Sequence, residues 1–155
     1  MSAEARLKEK NIVLPPRNKP VANYVTAVRV GNLLFLAGHG PRQDVPMRFK
    51  GKLGKDLTIE QGYEAAREVG LCLLATTRGE LGSLDKVKRV VKVLGMVNTA
   101  DGFGDQPKVI NGFSDLMVEV FGDLREGDEV VRRGNDEIRN GAPVGRPPAG
   151  PGGAR

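Results

Sequence analysis

His39 is the one histidine of this 155-residue chain, and Cys72 is its one cysteine. A single imidazole can move a proton near neutral pH, or simply hold a loop through hydrogen bonds. No serine or aspartate stands at a spacing that would complete a triad with it. The loop role is therefore the preferred reading of His39, with general base as the rival. One cysteine excludes an intramolecular disulfide and any cysteine-based metal centre. Cys72 sits between Leu71 and Leu73-Leu74, a setting in which a thiol acts as a small hydrophobe.

The elements that must position these groups belong to a chain long enough for one ordinary domain. Apolar residues make up 39% and charged residues 28%, the balance of a globular protein that can bury a core without staples. No apolar run approaches the roughly 20 residues that a membrane-spanning helix needs. Met1 to Lys8 is too charged for a secretory signal. With the lone cysteine, this points to a reducing compartment, the cytosol. The net charge of +5 is spread along the chain, without a block of like charges. Aromatic residues for base stacking are scarce, at 5%, so nucleic acid is not an expected partner.

Residues 1–12 are rich in good helix formers and predict a short helix, stopped by Pro15-Pro16. Tyr24 to Val30 and Leu33 to Ala37 predict two strands joined at Gly31-Asn32 as a hairpin, broken by Gly38-His39-Gly40-Pro41. Arg48 to Leu53 is a candidate edge strand. Thr58-Ile59-Glu60-Gln61 is a capping box opening a helix that runs to Leu81 and ends at Gly82. Val87 to Val97, dense in valine, predicts a long central strand. Gln106-Pro107 opens a second long helix whose apolar stripe includes Val109, Phe113, Leu116, Met117 and Val120, and which Gly122 ends. Two amphipathic helices need one sheet face to cover, so the expected fold is α+β, a two-layer sandwich with a mixed sheet. Such a sheet needs closing strands after the second helix, and residues 123–155 do not obviously supply them. Residues 141–155, rich in glycine and proline, predict disorder.

Several blocks in order carry a resemblance: Val21-Ala22-Asn23-Tyr24-Val25, Gly31 to Gly38, the strand through Val97-Asn98, Asp105 to Gly112, and Val118 to Gly122. Over residues 21–122 the chain resembles the RidA family, also called YjgF-like and known as L-PSP endoribonucleases. Residues 1–20 are then an N-terminal helix and connector, and 123–155 a divergent segment. The resemblance implies a YjgF/chorismate-mutase-like fold and a homotrimer with amino-acid-derived ligands in clefts between subunits. It further implies hydrolysis of enamines and imines such as 2-aminoacrylate to keto acids and ammonia, without cofactor or metal. In that chemistry an arginine grips the substrate carboxylate through its planar fork.

Position by position, the resemblance places Tyr24 beside the ligand, although a tyrosine packing at a strand start explains it equally well. Ala37-Gly38-His39 falls where the family has Ser-Gly-Gln, so a serine hydroxyl is missing. Asn111 matches an asparagine near the cleft, and Phe103 an aromatic that either walls the pocket or belongs to the core. The arginine position holds Glu129, which would repel a carboxylate. Arg125, Arg132 and Arg133 lie nearby but outside the motif. Read one nucleotide later, codons for Leu124 to Val131 can encode Ser-Gly-Lys-Gly-Thr-Arg-Ser-Ser, the family pattern with arginine in place of Glu129. A frame-shifted C-terminal segment is thus one hypothesis for the departure. As written, the chain is expected to be an impaired enamine/imine deaminase. The alternatives are a non-catalytic small-molecule-binding or regulatory trimer and, less favoured, an endoribonuclease.

Overall fold

The computed structural model describes residues 1–42 and 48–122. In chain order these form α1 (Ala3–Glu9), β1 (Ala27–Val30), β2 (Leu33–Leu36), α2 (Ile59–Leu81), a short 3-10 turn at Leu84–Lys86, and α3 (Gln106–Phe121). Glu129, Arg125, Arg132 and Arg133, with the rest of the divergent segment 123–155, lie outside the described residues. No helix of the described residues is long and apolar enough to cross a membrane.

Local chemistry fixes the helix ends. The Thr58 hydroxyl accepts from the Gln61 amide at 3.2 Å, and the Gln61 side chain accepts from the Thr58 amide at 2.9 Å. Gly82 closes α2 in the left-handed region at φ +79°, which a side chain would resist. Pro107 lies in the first turn of α3, where its missing N–H costs nothing, and Gly122 caps the other end. α1 starts one residue after the cap Ser2, whose hydroxyl accepts from Ala5.

β1 and β2 pair antiparallel, Ala27 opposite Leu36 and Val30 opposite Leu33, with Gly31 at φ +57° in the turn. This register puts Val28, Val30, Leu33 and Phe35 on one face, and all four are exposed. An apolar sheet face left open in one chain is a surface that another element or molecule would cover.

α2 and α3 pack in the same direction, Gly62 beside Val109 and Gly70 beside Leu116. Their backbones meet at Gly112, where a β-carbon would lie 2.0 Å from the Tyr63 carbonyl oxygen. Glycines that weaken a helix intrinsically thus let the two helices close on each other. The bidentate pair from Arg67 to Glu119, at 3.0 and 2.6 Å, ties the outer side of the crossing. Leu74, Leu84, Phe113, Leu116, Met117 and Val120 form the core, to which α1 adds Ala3 and Leu7. Cys72 is fully buried within α2.

Two strand expectations need correction. The run Val87 to Val97 makes no ladder with any described residue; pairing is confined to the residues just after it. There, Leu53 donates to the Asn98 carbonyl and receives the Ala100 amide, a single bridge. Valine content favours a strand only where a neighbour supplies hydrogen bonds. The described residues supply no strand to ladder with, although Gly95 rests against Ile110 of α3. The edge strand expected at Arg48 to Leu53 is reduced to the bridge at Leu53, and a turn follows at once over Gly54 to Asp56. The Lys52 carbonyl accepts from Asp56, and Gly51 and Gly54 take positive φ. The described sheet is therefore two-stranded and antiparallel rather than mixed, within an α+β chain.

Candidate functional site

The hairpin and the connector before it build one shallow, open hollow. Asn18 and Lys19 come from the connector, Tyr24 and Thr26 from the approach to β1, and Gly38, His39 and Gly40 from the exit of β2. The Ala37 amide donates to the Thr26 carbonyl at 3.0 Å, extending the pairing past β2 and setting Gly38 beside Thr26.

His39 anchors this wall to the helical layer. Its Nδ1 lies 2.8 Å from the Ala37 carbonyl oxygen, and its Nε2 lies 2.8 Å from the hydroxyl of Thr76, fully buried in α2. A carbonyl only accepts, so Nδ1 carries a proton and donates to Ala37, while Nε2 shares a hydrogen bond with the Thr76 hydroxyl. Both nitrogens are engaged, and no lone pair faces the hollow. The imidazole here is a strut between sheet and helix.

Arg17 braces the other side. Its guanidinium donates to the Thr26 hydroxyl at 2.6 Å and pairs with Glu80 near the end of α2. The connector is thereby pinned to the same helix as His39. No group of three or more His, Cys, Asp or Glu among the described residues could hold a metal ion.

Of the residues singled out in the sequence, the structure brings Tyr24, Gly38 and His39 together, with Ala37 contributing its backbone. Phe103 and Asn111 stand elsewhere. Phe103 packs over Gly54, and Asn111 is half-buried on α3 one residue from the Tyr63 crossing. That level of α2 is about 20 Å along the helix from Thr76, at 1.5 Å per residue. Thr76, Arg17 and Lys19 escaped the sequence reading. Thr76 is one of two adjacent threonines in a helix, and nothing local says which one faces a histidine 37 residues away.

A second polar cluster joins the helices. The Tyr63 hydroxyl donates to Asp115 at 2.9 Å. Partial burial, and then that carboxylate, push the Tyr63 phenol above the ordinary tyrosine range. At the start of α2, a backbone amide and then the Thr58 hydroxyl hold the Glu60 carboxyl below the usual carboxylate range.

The fold and hollow define an α+β protein with a small surface hollow, about 20 Å³, beside a hairpin. Comparison with known proteins places it further. Residues 4–133 match the family model described as "YjgF/chorismate mutase-like, putative endoribonuclease". The chain belongs to that family. The matched span is wider at both ends than the blocks at 21–122. Protein TCP17 of Trypanosoma cruzi is 41% identical over 119 residues, covering 77% of this chain and 74% of that protein. A Shewanella oneidensis crystal structure, described as a "putative endoribonuclease", superposes with a TM-score of 0.75 at 30% identity, covering 79% of this chain and 81% of that one. A protein of unknown function from Agrobacterium tumefaciens gives 0.68 at 34% identity, covering 78% and 73%.

Proposed function

We propose that the chain binds small amino-acid-derived carbonyl or imine compounds at the Tyr24–Gly38–His39 hollow, and that its reaction is hydrolysis of 2-aminoacrylate-type imines. Water adds to the imine carbon, the carbon–nitrogen bond breaks, and a keto acid and ammonia leave. The observation that carries this reading is the convergence of Tyr24, Gly38 and His39 on one hollow, since the resemblance names these positions for ligand contact. Hydrolysis is expected to be slow, because Glu129 occupies the position of the family arginine. Adding the protein to a dehydratase that releases 2-aminoacrylate, and timing pyruvate formation, tests it. A small acceleration is expected; none at all removes the catalytic reading, and a strong one shows that Glu129 does not limit the rate.

The working unit we infer is a homotrimer in which each subunit packs its helices on a larger sheet as two layers. Two features support it. The hairpin face of Val28, Val30, Leu33 and Phe35 is exposed in the single chain. Asn111 lies about 20 Å along the helices from the level of Thr76, and Phe103 packs over Gly54 rather than lining the hollow, so a neighbouring copy is what would bring them to it. The expected setting is the cytosol.

One observation favours a second reading, a binding or regulatory trimer without catalysis. Both nitrogens of His39 are spoken for, which leaves the hollow without a free general base among the described residues. Thermal-shift screening against keto acids and amino acids, alongside the pyruvate assay, separates the two. Stabilisation without turnover selects the second reading.

A further inference from the structure

Three basic side chains stand at or beside the hollow, and two are already committed. Arg17 is neutralised by Glu80 and donates to Thr26. His39 spends both nitrogens on Ala37 and Thr76. Lys19 differs: it is exposed, lines the hollow, and takes part in none of the ion pairs among the described residues. Its ammonium is thus an uncompensated charge with three donors at the mouth of the site.

The opposite wall supplies an independent observation. A β-carbon built on Gly38 or Gly40 would meet nothing within 4 Å, and neither residue takes the positive φ that favours glycine. Among the described residues, neither crowding nor backbone conformation calls for glycine at either position. What both glycines do is leave the main chain bare on either side of His39. Bare main chain in the same hollow as a lysine ammonium suits a small anion that takes hydrogen bonds from backbone and lysine together.

Resting on the proposed ligand class above, we infer that Lys19 is the specificity-determining cation of the hollow. It receives the carboxylate of the ligand, while the main chain at Gly38 and Gly40 lines the other side. The site therefore selects carboxylate-bearing compounds over their neutral esters and amides.

The test is a titration of the full chain with 2-oxobutanoate and with its methyl ester, followed by nuclear magnetic resonance at the backbone amides of Gly38 and Gly40. Lys19→Gln, Lys19→Arg and the remote Lys8→Gln are compared. Saturable shifts at both amides are expected in the unaltered chain, with the ester binding more weakly. Affinity should fall about tenfold or more in Lys19→Gln, the loss that goes with one charged hydrogen bond. Lys19→Arg should keep most of the affinity, and Lys8→Gln all of it. Equal binding by Lys19→Gln and the unaltered chain overturns the role of Lys19 and leaves the ligand class standing. Absence of saturable shifts in the unaltered chain overturns both.

Discussion

At the scale of single residues, the contact between Thr76 and His39 carries the most consequence for the hollow. Replacing Thr76 by valine keeps the shape but leaves His39 Nε2 facing an apolar methyl. His39 is only half-buried, so losing this hydrogen bond costs about 0.5–1.5 kcal/mol, and Thr76→Val should lower stability by that amount in urea denaturation. It should also weaken binding at Gly38 and Gly40, because the strut between hollow and α2 is lost. Unchanged ligand affinity would show that His39 does not hold the wall. Tyr63 gives a pH-dependent case. Its phenol titrates higher in the folded chain than in the unfolded one. The stability it contributes is complete below the unfolded tyrosine value of about 10 and is lost as pH rises through the folded value. The stability gap between the unaltered chain and Tyr63→Phe should be widest near neutrality and narrow above that pH. A gap that stays constant in alkaline buffer contradicts the assignment. For Glu129 the decisive measurement is the coding DNA across codons 120–155. Codons that cannot be read as the shifted string end the frame-shift hypothesis.

At the scale of elements, two glycines in the helical layer predict opposite outcomes. A methyl at Gly112 would sit 2.0 Å from a backbone oxygen, and backbone cannot swing aside as a side chain can. Gly112→Ala should cost about 3 kcal/mol, at the upper end of overpacking penalties. At Gly79, near the end of α2, the added methyl meets only the Arg17 side chain at 3.5 Å, an ordinary contact. Gly79→Ala should gain about 0.5–1 kcal/mol from helix propensity. Thermal melts of the two variants check the pair of signs. These elements were legible in the sequence wherever the signal was local. The capping box at Thr58, the Gly82 stop, the Pro107 start and the Gly31-Asn32 turn each depend on residues within four of one another. Val87 to Val97 was not legible in this way, because a strand is a relation between two segments and one of them cannot specify it. The hollow was half legible for the same reason. Tyr24, Gly38 and His39 stand in recognisable blocks, whereas Lys19 and Thr76 gain their meaning only from neighbours distant in the chain.

At the scale of the whole molecule, the exposed apolar face of the hairpin is the feature that single-chain packing leaves unexplained. Val28, Val30, Leu33 and Phe35 stand between 48% and 59% exposed, side by side on one sheet surface. If the proposed trimer covers them, sedimentation velocity should give a single species of three chains. Phe35→Lys should then shift the population toward monomer, since a buried lysine without a partner is costly. A chain that sediments as a monomer at micromolar concentration would remove the trimer, and with it the role proposed for Phe103 and Asn111 in a shared cleft.

α1 has a bearing on how the molecule is made. Its seven residues are too few to hold a helix alone in water. Its partners are the Phe121 carbonyl that takes Arg6, the Leu84 amide and Asp85 that meet Glu4, and Arg78. All of them lie 78 to 121 residues into the chain. α1 precedes all of these partners in the chain, so it waits as a loose end until α3 has been made. Until then Ala3 and Leu7 leave their side of the core unsealed, and a nascent chain cut short before residue 121 should be unusually open to proteases and chaperones.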